Sequence, residues 1–458
     1  MTENFQILDA RSHCRTRPQM YVGSTTMENV EQFLFGKWQT VNYVPALFKM
    51  INEIVDNSID EYLRSGGKSA NKIDVSISEV EVKVTDNGRG IPLDEIKTPE
   101  GDLILRPVAA WTRNNAGTSF GKTRTTIGSH GLGSALVNYM SSDFHGATWS
   151  NGTCLHVICS NGAEKITTKE TKKSGSGTSV TFTPDFSIFE CDSFEEQDVA
   201  DLVEDRLIGL QMAFPEISFS FNKTKIKIKN LKQYAEMFGG EGASVITERS
   251  DNLTFFVTSS DDGFRSNSFV NGVNTRLGGT YVDYIVNSVA EELLGMIKRK
   301  HKIEITKSVL KNGLTFVMFA RNFVNPKYDS QTKERLTNSL SEVKKHFDGE
   351  SMKDFKAIAK KLFSADDIIE PIIAAQIEKK NAEERRKAIV AQKKLKKVKV
   401  AKHIAASSPE ASLSLCEGDC LIEDTEIETS GGSKKIKDVV QGDLVFTHKN
   451  RYMPVLSK

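Results

Sequence analysis

The chain has 458 residues, of which 38% are hydrophobic and 26% are charged, and its formal net charge is +1. This composition is typical of a globular protein that buries hydrophobic cores. The balanced charge argues against a uniformly basic DNA-coating protein, while still allowing local basic patches. The length predicts about three domains.

Cysteine usage and hydropathy bear on the cellular compartment. The six cysteines have no metal-type Cys-x-x-Cys spacing, and the sequence shows neither a secretory leader nor a long apolar run. The cysteines are Cys14, Cys154, Cys159, Cys191, Cys416 and Cys420. A reducing, cytoplasmic setting without membrane contact is therefore expected.

The first strong pattern predicts a helix that begins at Pro45, a residue suited to the first helical turn. Apolar residues recur at every fourth position, and a polar set recurs with the same spacing on another face. The apolar set is Leu47, Ile51, Val55 and Ile59, and the polar set is Glu53, Asn57 and Glu61. One face is expected to pack and the other to act chemically.

The polar face is unusual because residues 52–61 hold four carboxylates and the amide of Asn57 but no cation. A Mg²⁺ ion, which combines one or two protein oxygens with substrate phosphates and water, would balance this charge. Glu53 could then polarise a water molecule for attack on phosphorus. An ordinary surface helix is the alternative, and the helix alone does not decide between the two.

Alternating apolar and polar residues predict strands over residues 73–78 and 81–86. The second strand ends at Asp86, and the chain continues Asn-Gly-Arg-Gly-Ile-Pro. The two glycines of this segment would let the backbone approach a flat ligand, while Asp86 would accept a hydrogen bond from an exocyclic amine. A simple Asn-Gly turn is the alternative.

Residues 127–137 form a glycine-rich stretch that leads into an apolar helix, a junction at which several N–H groups point at one anion. Such a loop is weak evidence alone, and a histidine such as His130 is more often structural than a ligand. A Gly-Ser-Gly-Thr segment ends at Thr178, before a predicted strand over residues 179–183. It offers a hydroxyl beside the expected adenine pocket.

Taken in order, these four motifs resemble the set shared by the GHKL ATPases, which include gyrase, heat-shock-90 chaperones, mismatch-repair ATPases and histidine kinases. The resemblance implies an α+β sandwich of the Bergerat type that binds ATP, with Glu53 as general base, Asn57 as a Mg²⁺ ligand and Asp86 as the adenine contact. It also implies further nucleotide contacts and a lid over the phosphates. The residues that would make these contacts or form the lid are Gly88, Gly90, Ile91, Gly128, Ser129, His130, Gly131, Leu132, Gly133 and Thr178. The Gly-x-x-x-x-Gly-Lys-Ser/Thr pattern of a P-loop is absent from the sequence.

Two further segments fit this resemblance. Residues 15–24 are similar to a stretch near the start of gyrase-type ATPase subunits, with Gln19 where glycine is usual, and they imply that two copies join when ATP binds. Residues 114–126 are rich in Gly, Thr, Ser and Asn, as expected of a mobile lid. Lys122 in this lid would either touch phosphate or remain solvated.

A helix over residues 194–212 and a strand over residues 217–221 are expected to close the first domain near residue 228. Residues 268–280 then resemble the transducer segment of type II topoisomerases. An Asn-Gly hairpin is the alternative for this segment. A helix over residues 281–299 is predicted to follow.

Residues 325–334 resemble a loop of gyrase and eukaryotic topoisomerase II in which a lysine reaches from the transducer to the γ-phosphate. The resemblance implies that Gln331 and Lys333 contact the nucleotide. A cation at Lys333 would stabilise negative charge on the transferred phosphoryl group and would let the second domain sense the nucleotide. A solvated loop lysine is the alternative.

Residues 354–400 are predicted to form a long helical stretch that ends in a basic run from Arg385 to Lys397. The resemblance implies that this stretch faces DNA, where a basic stripe adds phosphate contacts that depend on salt but not on sequence. A solvated helix is the alternative. Residues 405–412 are typical of a small-residue linker.

Residues 414–419 resemble the first strand of a TOPRIM domain, in which Glu417 would serve a metal-dependent DNA cleavage site. The acidic Mg²⁺ pair of that domain and a winged-helix domain with a nucleophilic tyrosine do not follow. The chain is therefore expected to depend on separate subunits for DNA cleavage. This organisation is similar to that of the divided topoisomerase large subunits of T-even-type phages.

From Cys420 the sequence departs from topoisomerases and resembles the first block of an intein, whose first residue is a cysteine. The Cys420 thiol could attack the carbonyl of Asp419 and convert the peptide bond into a thioester. The usual Thr-x-x-His block and terminal His-Asn are missing, and His448 is not in that context. Splicing would therefore need a separate C-terminal half. A divergent TOPRIM tail or a cloning artefact is the alternative.

Five parts are predicted: a GHKL ATPase domain (1–228), a transducer of β-α-β type (229–365), a basic helical linker (366–404), a TOPRIM start (405–419) and an intein-like segment (420–458). The predicted function is an ATP-operated gate that dimerises on binding ATP and passes double-stranded DNA, in the host cytoplasm if a phage encodes it. A mismatch-repair or chaperone ATPase would share the ATP motifs but not the loop of Lys333 or the Glu417 motif. A histidine kinase would need a phospho-accepting helix, which is not found before residue 45.

Overall fold

The computed structural model describes residues 8–114, 116, 127, 131–228, 230–239, 244–330, 333–347, 355–395, 422–447 and 450–456. The chain divides into two compact units, residues 1–382 and 383–458. The first unit contains two large sheets with their helices, and the second contains one small sheet. Among the described residues, no helix is long and apolar enough to span a bilayer.

An eight-stranded mixed sheet dominates the first part of the chain, in the order β12-β11-β3-β4-β10-β7-β8-β9. Only β11 and β3 pair in parallel within it. The elements are α1 (Ala10–Thr16), α2 (Gln19–Val22), β1 (Glu28–Leu34), β2 (Lys37–Tyr43), α3 (Pro45–Arg64), β3 (Lys72–Ile77), β4 (Val82–Asp86), β5 (Glu95–Lys97), β6 (Leu103–Leu105), α4 (Arg106–Thr112), α5 (Gly133–Tyr139), β7 (Ser141–Ser150), β8 (Thr153–Ser160), β9 (Lys165–Lys172), β10 (Gly177–Pro184), α6 (Val199–Ala213), β11 (Ser218–Phe221) and β12 (Thr224–Lys225). Helices α3, α5 and α6 pack against this sheet and enclose its core.

Helix α3 forms as its sequence pattern predicts. Proline stands at its first position, where the missing N–H costs nothing. The four apolar residues spaced by four are all 0–1% exposed, so this face packs into the core. The opposite, polar face is left for the site.

Helix α6 begins at Val199, so the prediction that it starts at residue 194 is wrong. The preceding residues are held by other segments instead. Gln197 accepts a hydrogen bond from the Val44 N–H at 3.0 Å, and Asp198 accepts one from the Asn42 N–H at 2.8 Å. Because both contacts join residues that are far apart in the sequence, a local helical pattern cannot predict them.

The following part of the first unit carries a five-stranded sheet in the order β13-β14-β17-β15-β16. Its elements are α7 (Leu231–Gly239), β13 (Ile246–Arg249), β14 (Leu253–Ser259), β15 (Arg265–Val270), β16 (Val273–Asn274), α8 (Thr280–His301), α9 (Lys307–Asn312), β17 (Leu314–Ala320), α10 (Leu340–Phe347), α11 (Phe355–Phe363) and α12 (Asp366–Leu395). Strands β15 and β17 are parallel, and the connection between them includes α8. This is the expected β-α-β arrangement.

The hairpin alternative for residues 268–275 also describes the structure. Strands β15 and β16 pair in antiparallel register across Asn271 and Gly272, whose φ angles are +50° and +91°. Asn-Gly favours such positive φ angles in two-residue turns. The transducer-like segment therefore contains a tight hairpin.

The helical stretch predicted over residues 354–400 is interrupted. Helix α11 ends at Phe363 and α12 begins at Asp366. The Ser364 hydroxyl donates to the Lys360 carbonyl at 3.0 Å, a local bond that competes with helix continuation, and two aspartates open the next helix. Residues beyond 395 in this stretch lie outside the described part.

The second unit contains a four-stranded antiparallel sheet in the order β19-β18-β20-β21. Its strands are β18 (Glu426–Thr429), β19 (Gly432–Lys435), β20 (Leu444–Thr447) and β21 (Arg451–Pro454). The division between the two units falls within α12. The finer five-part division therefore stays a proposal.

Candidate nucleotide site

A cleft of about 1300 Å³ opens beside α3 in the first unit. Residues from α3, from the end of β4 and its following loop, and from the start of β10 line it. They include Asn57, Asp86, Gly90, Ile91 and Thr178. Three of the four predicted motifs, which are far apart in the sequence, thus line one cavity.

Asp86 ends β4 at the floor of this cleft, where its side chain is 8% exposed. Its Oδ2 accepts a hydrogen bond from the Ser58 hydroxyl at 2.9 Å, and its Oδ1 accepts one from the Gly88 N–H at 2.8 Å. Burial raises the pKa of Asp86 to about 6, although these hydrogen bonds act in the opposite direction. The carboxylate is therefore fixed in orientation. Ser58 also belongs to the site, although the sequence motifs assigned it no role.

The segment after β4 is shaped by close approach of the backbone. Gly90 has φ +79°, and a Cβ there would lie 2.8 Å from the Trp149 carbonyl oxygen. The N–H of Ile91 donates to the Thr148 hydroxyl at 2.7 Å. The segment is thereby held against the sheet, with Thr178 opposite Asp86 in the β4–β10 register.

Glu53 lies in the middle of α3, where its Oε1 is 2.5 Å from the Lys49 ammonium one turn earlier. A Cβ on Gly133, the first residue of α5, would lie 2.0 Å from its Oε2. Burial acts to raise the pKa of Glu53, but the charges of Lys49, Lys333 and Arg206 outweigh it and lower the pKa to about 2. Glu53 is an ionised carboxylate packed against the start of α5.

The sequence alone suggests that no cation balances the negative charge of the other acids of α3. The structure instead pairs two of them with arginines. The Arg206 guanidinium binds Asp56 in a buried ion pair and also donates to the Asn52 side chain at 2.6 Å. Arg89 contacts Glu61 at 2.6 Å. The expectation that an arriving Mg²⁺ ion balances these charges is therefore not needed, because cations distant in the sequence fold onto two of the acids.

Asn57 is exposed at the cleft and donates through Nδ2 to the Ser134 hydroxyl at 2.9 Å. This leaves its Oδ1 as the ligand atom that a hard cation would use. No cluster of three or more His, Cys, Asp or Glu residues suited to a metal exists within the described ranges. An ion here would thus need oxygens from a nucleotide and from water.

Lys333 reaches α3 from the loop that follows β17, and it is 5% exposed. Its ammonium lies 3.4 Å from the Ile127 carbonyl oxygen, and the Ile127 N–H donates to Asp60 at 2.6 Å. Burial, followed by the charge of Lys49, lowers the pKa of Lys333, while Glu53 acts in the opposite direction. The structure therefore brings the predicted transducer lysine to the predicted base.

The remaining predicted residues divide into two groups. Gly131 has φ +62°, Leu132 stands at the N-cap of α5, and Gly133 begins that helix. The rest lie outside the described residues, so their predicted roles stay predictions. These residues are Gly128, Ser129, His130, Gln331, Glu417 and Cys420, together with Lys122 of the lid.

Comparison with known proteins yields two family matches. The family of histidine kinase-, DNA gyrase B- and HSP90-like ATPases matches residues 42–188. The DNA gyrase B family matches residues 220–388. The first match covers six of the eight strands of the large mixed sheet, and the second covers the whole five-stranded sheet.

Individual relatives narrow the assignment. The DNA topoisomerase large subunit of Enterobacteria phage T4 is 41% identical over 437 residues, which cover 93% of this chain and 83% of that protein. DNA topoisomerase 2 of Saccharomyces cerevisiae is 28% identical over 382 residues, and this chain spans only 26% of its length. The crystal structure of the ATPase region of Saccharomyces cerevisiae topoisomerase II shares the fold, with a TM-score of 0.72 at 24% identity over 83% of this chain and 99% of that chain.

The predicted α+β fold, with a GHKL ATPase domain and a transducer, is thereby confirmed. The ATP-binding motifs alone left mismatch-repair, chaperone and histidine-kinase alternatives open. The long match to a topoisomerase subunit decides among them. The chain belongs to the family of type II DNA topoisomerase large subunits and carries the ATP-binding ATPase region of such an enzyme.

Proposed function

We propose that this chain hydrolyses ATP with Glu53 as general base and that hydrolysis operates a gate through which double-stranded DNA passes. The observation that carries the proposal is the meeting of Lys333, from the second sheet's loop, with the carboxylate stripe of α3. A cation placed there would bind the γ-phosphate and transmit its presence to the other sheet.

Mg²⁺ fits the proposed site. Asn57 supplies one side-chain oxygen at the cleft, and Ser134 orients the amide. When bound, Mg²⁺ would neutralise charge on the phosphates. Asp86 would accept the adenine amine, while Gly88, Gly90, Ile91 and Thr178 would surround the base.

The Lys333→Ala variant tests the gate. The proposal predicts slower hydrolysis and loss of the coupling between ATP binding and dimerisation, because the cation between the two domains is gone. ATP turnover and sedimentation velocity with a non-hydrolysable ATP analogue measure both effects. Lys307→Ala serves as the matched control, at a half-exposed lysine on α9 that pairs with Glu291. Unchanged kinetics and dimerisation in Lys333→Ala would show that Lys333 is only a buried structural cation.

Strand passage is proposed to need separate subunits that supply the catalytic tyrosine and the remainder of the TOPRIM domain, whose first motif, with Glu417, lies in this chain. The T4 relative is itself described as a large subunit. An ATP-dependent strand-passage assay with and without such subunits tests this dependence. Passage by the chain alone contradicts it. A cytoplasmic location remains the expectation from composition.

The intein assignment of residues 420–458 is a further part of the proposal. The described segment is a small sheet whose strand residues Phe446 and Tyr452 are 44% and 40% exposed, and the flanking Ile422 and Leu456 are 74% and 79% exposed. Such exposure of apolar side chains suits a half-fold that awaits a complement. A C-terminal intein half would then join its own flanking sequence to Asp419. Excess thiol should release residues 1–419 as a thioester, detected by intact mass. The Cys420→Ala variant should abolish the release and Cys416→Ala should not. The same result in all three proteins, either release or no release, would overturn the assignment.

A further inference from the structure

Thr148, a fully buried residue of β7, lies beside both glycine-containing segments that border the cleft. In the register of the large sheet it stands opposite Thr178 of β10, and Thr178 stands opposite Asp86 of β4. Residues directly opposite each other on neighbouring strands share one face of the sheet. Thr148 therefore belongs to the same row as the predicted adenine contact, two strands away from it.

The Thr148 hydroxyl holds a main-chain group of the segment that follows β4. The Ile91 N–H donates to Thr148 Oγ1 at 2.7 Å, a normal hydrogen-bond length. The same hydroxyl makes a longer contact, at 3.5 Å, with the Gly177 carbonyl oxygen at the start of β10. A threonine hydroxyl accepts and donates at once, so one side chain joins the two segments. Valine has nearly the same shape and can do neither.

The two segments lie so close to the sheet that water cannot take the place of this hydroxyl. A Cβ on Gly90 would lie 2.8 Å from the Trp149 carbonyl oxygen and 3.1 Å from Thr148 Oγ1. A Cβ on Gly177 would lie 2.3 Å from the Asp86 carbonyl oxygen. Backbones at these separations leave no room for a bridging water molecule. Without the hydroxyl, the Ile91 N–H reaches water only if its segment moves away from the sheet.

We propose that Thr148 is a positioning residue for nucleobase binding, because its hydroxyl holds residues 88–91 where a base can lie against Asp86. This inference rests on the proposed contact between Asp86 and adenine. Gly90 and Ile91 line the cleft and are partly exposed, so in the free protein a released segment can shift and solvate its N–H. A bound base needs the segment in place, where an N–H without a partner costs free energy. Loss of the hydroxyl therefore weakens binding more than it weakens folding.

The test measures ADP binding to the full chain, because ADP carries the base but has no γ-phosphate to react. Thr148→Val should raise the Kd for ADP and for ATP by the same factor, about 5- to 30-fold, as expected for the loss of one hydrogen bond to a buried donor. The KM for ATP should rise similarly while kcat stays within about twofold of wild type, since the phosphate side of the cleft is unchanged. Thr148→Ser keeps the hydroxyl and should restore the affinity.

Thr258→Val is the matched control, at a threonine that is also fully buried. Thr258 lies in β14 of the second sheet, and its hydroxyl donates to the Ser244 carbonyl oxygen at 3.0 Å. Both valine variants lose a buried hydroxyl, so urea unfolding should show a loss of stability in both, but only Thr148→Val should lose affinity. If Thr148→Val does not fold, as judged by circular dichroism, Thr148→Ala removes the same hydroxyl and should show the same rise in Kd.

Two results would overturn the proposal. A Kd for ADP within twofold of wild type in a folded Thr148→Val or Thr148→Ala protein would leave Thr148 with a structural role alone. An equal loss of affinity in Thr258→Val would show that binding follows general stability. Asp86→Asn in the same titration separates the two levels of inference. If its Kd for ADP is that of wild type, the contact between Asp86 and adenine fails; if Asp86→Asn is weakened and Thr148→Val is normal, only the positioning role fails.

Discussion

At the scale of single residues, the site is organised by what touches each carboxylate. Asp86 and Glu53 are both poorly exposed acids, yet their pKa values move in opposite directions. Burial dominates at Asp86, whereas cations dominate at Glu53. The same side-chain chemistry thus gives an oriented acceptor in the cleft, at Asp86, and a carboxylate on α3, at Glu53, that is ionised at neutral pH.

Asp86→Asn tests the acceptor through the pH dependence of stability. The folded pKa of Asp86 is about 6 against an ordinary 3.8, so between these values the folded state binds more protons than the unfolded state. Stability conferred by this group therefore falls as pH rises through that window. Urea unfolding of wild type and variant at several pH values should show that the variant lacks this component. Parallel stability curves would contradict it.

Gly133→Ala tests the contact between α3 and α5. A Cβ at Gly133 would lie 2.0 Å from Glu53 Oε2, so the carboxylate must move, and we expect turnover to fall by about 100-fold. Gly295→Ala in α8 is the matched control, because nothing lies within 4 Å of its added methyl group. The control should keep full turnover and gain about 0.5–1 kcal/mol of stability from the lower entropy of the unfolded chain. Equal turnover in both variants would show that Glu53 tolerates displacement.

At the scale of elements, α3 was predictable because its pattern is local. Its apolar spacing and first-turn proline are readable in the sequence, and so is Lys49 four residues before Glu53. Arg206 was not predictable, because it reaches Asp56 from α6 across 150 positions. The start of α6 was misplaced for the same reason. Lys333 was placed only by family resemblance, since no periodicity distinguishes a loop lysine.

The contact between α3 and α6 gives a stability prediction. Arg206→Met leaves Asp56 as an unpaired charge in a buried place, and we expect a loss of about 3–5 kcal/mol. Removing the exposed pair between Lys298 at the end of α8 and Glu304 with Lys298→Met should change stability little. Chemical denaturation measures both variants. A similar, small effect in both would show that water reaches Asp56.

At the scale of the whole molecule, Lys333 reaches from the loop after β17 to the Ile127 carbonyl beside α3, and α12 carries a basic run that begins at Arg385. Arg385, Arg386 and Lys387 are all exposed. If they contact DNA phosphates, affinity should depend on salt with a slope set by the number of contacts.

Replacing these three residues by alanine should therefore reduce the slope of log affinity against log salt by up to about 3 for duplex DNA. The matched control replaces three exposed lysines of β9 by alanine, which gives the same change in charge. These are Lys165, Lys169 and Lys172. Fluorescence anisotropy across a salt series measures both variants. Equal slopes would indicate a general charge effect and no local contact.

ATP turnover by Glu53→Gln tests the central claim most directly. The amide keeps the shape of the side chain but cannot accept a proton, so hydrolysis should fall by about 100-fold or more while ATP binding remains nearly intact. Glu195→Gln, at an exposed glutamate outside the cleft, is the matched control and should behave as wild type. Steady-state turnover and equilibrium ATP binding, measured on the same preparations, separate chemistry from affinity. A Glu53→Gln protein that keeps a tenth or more of wild-type turnover would contradict the assignment of Glu53 as the base.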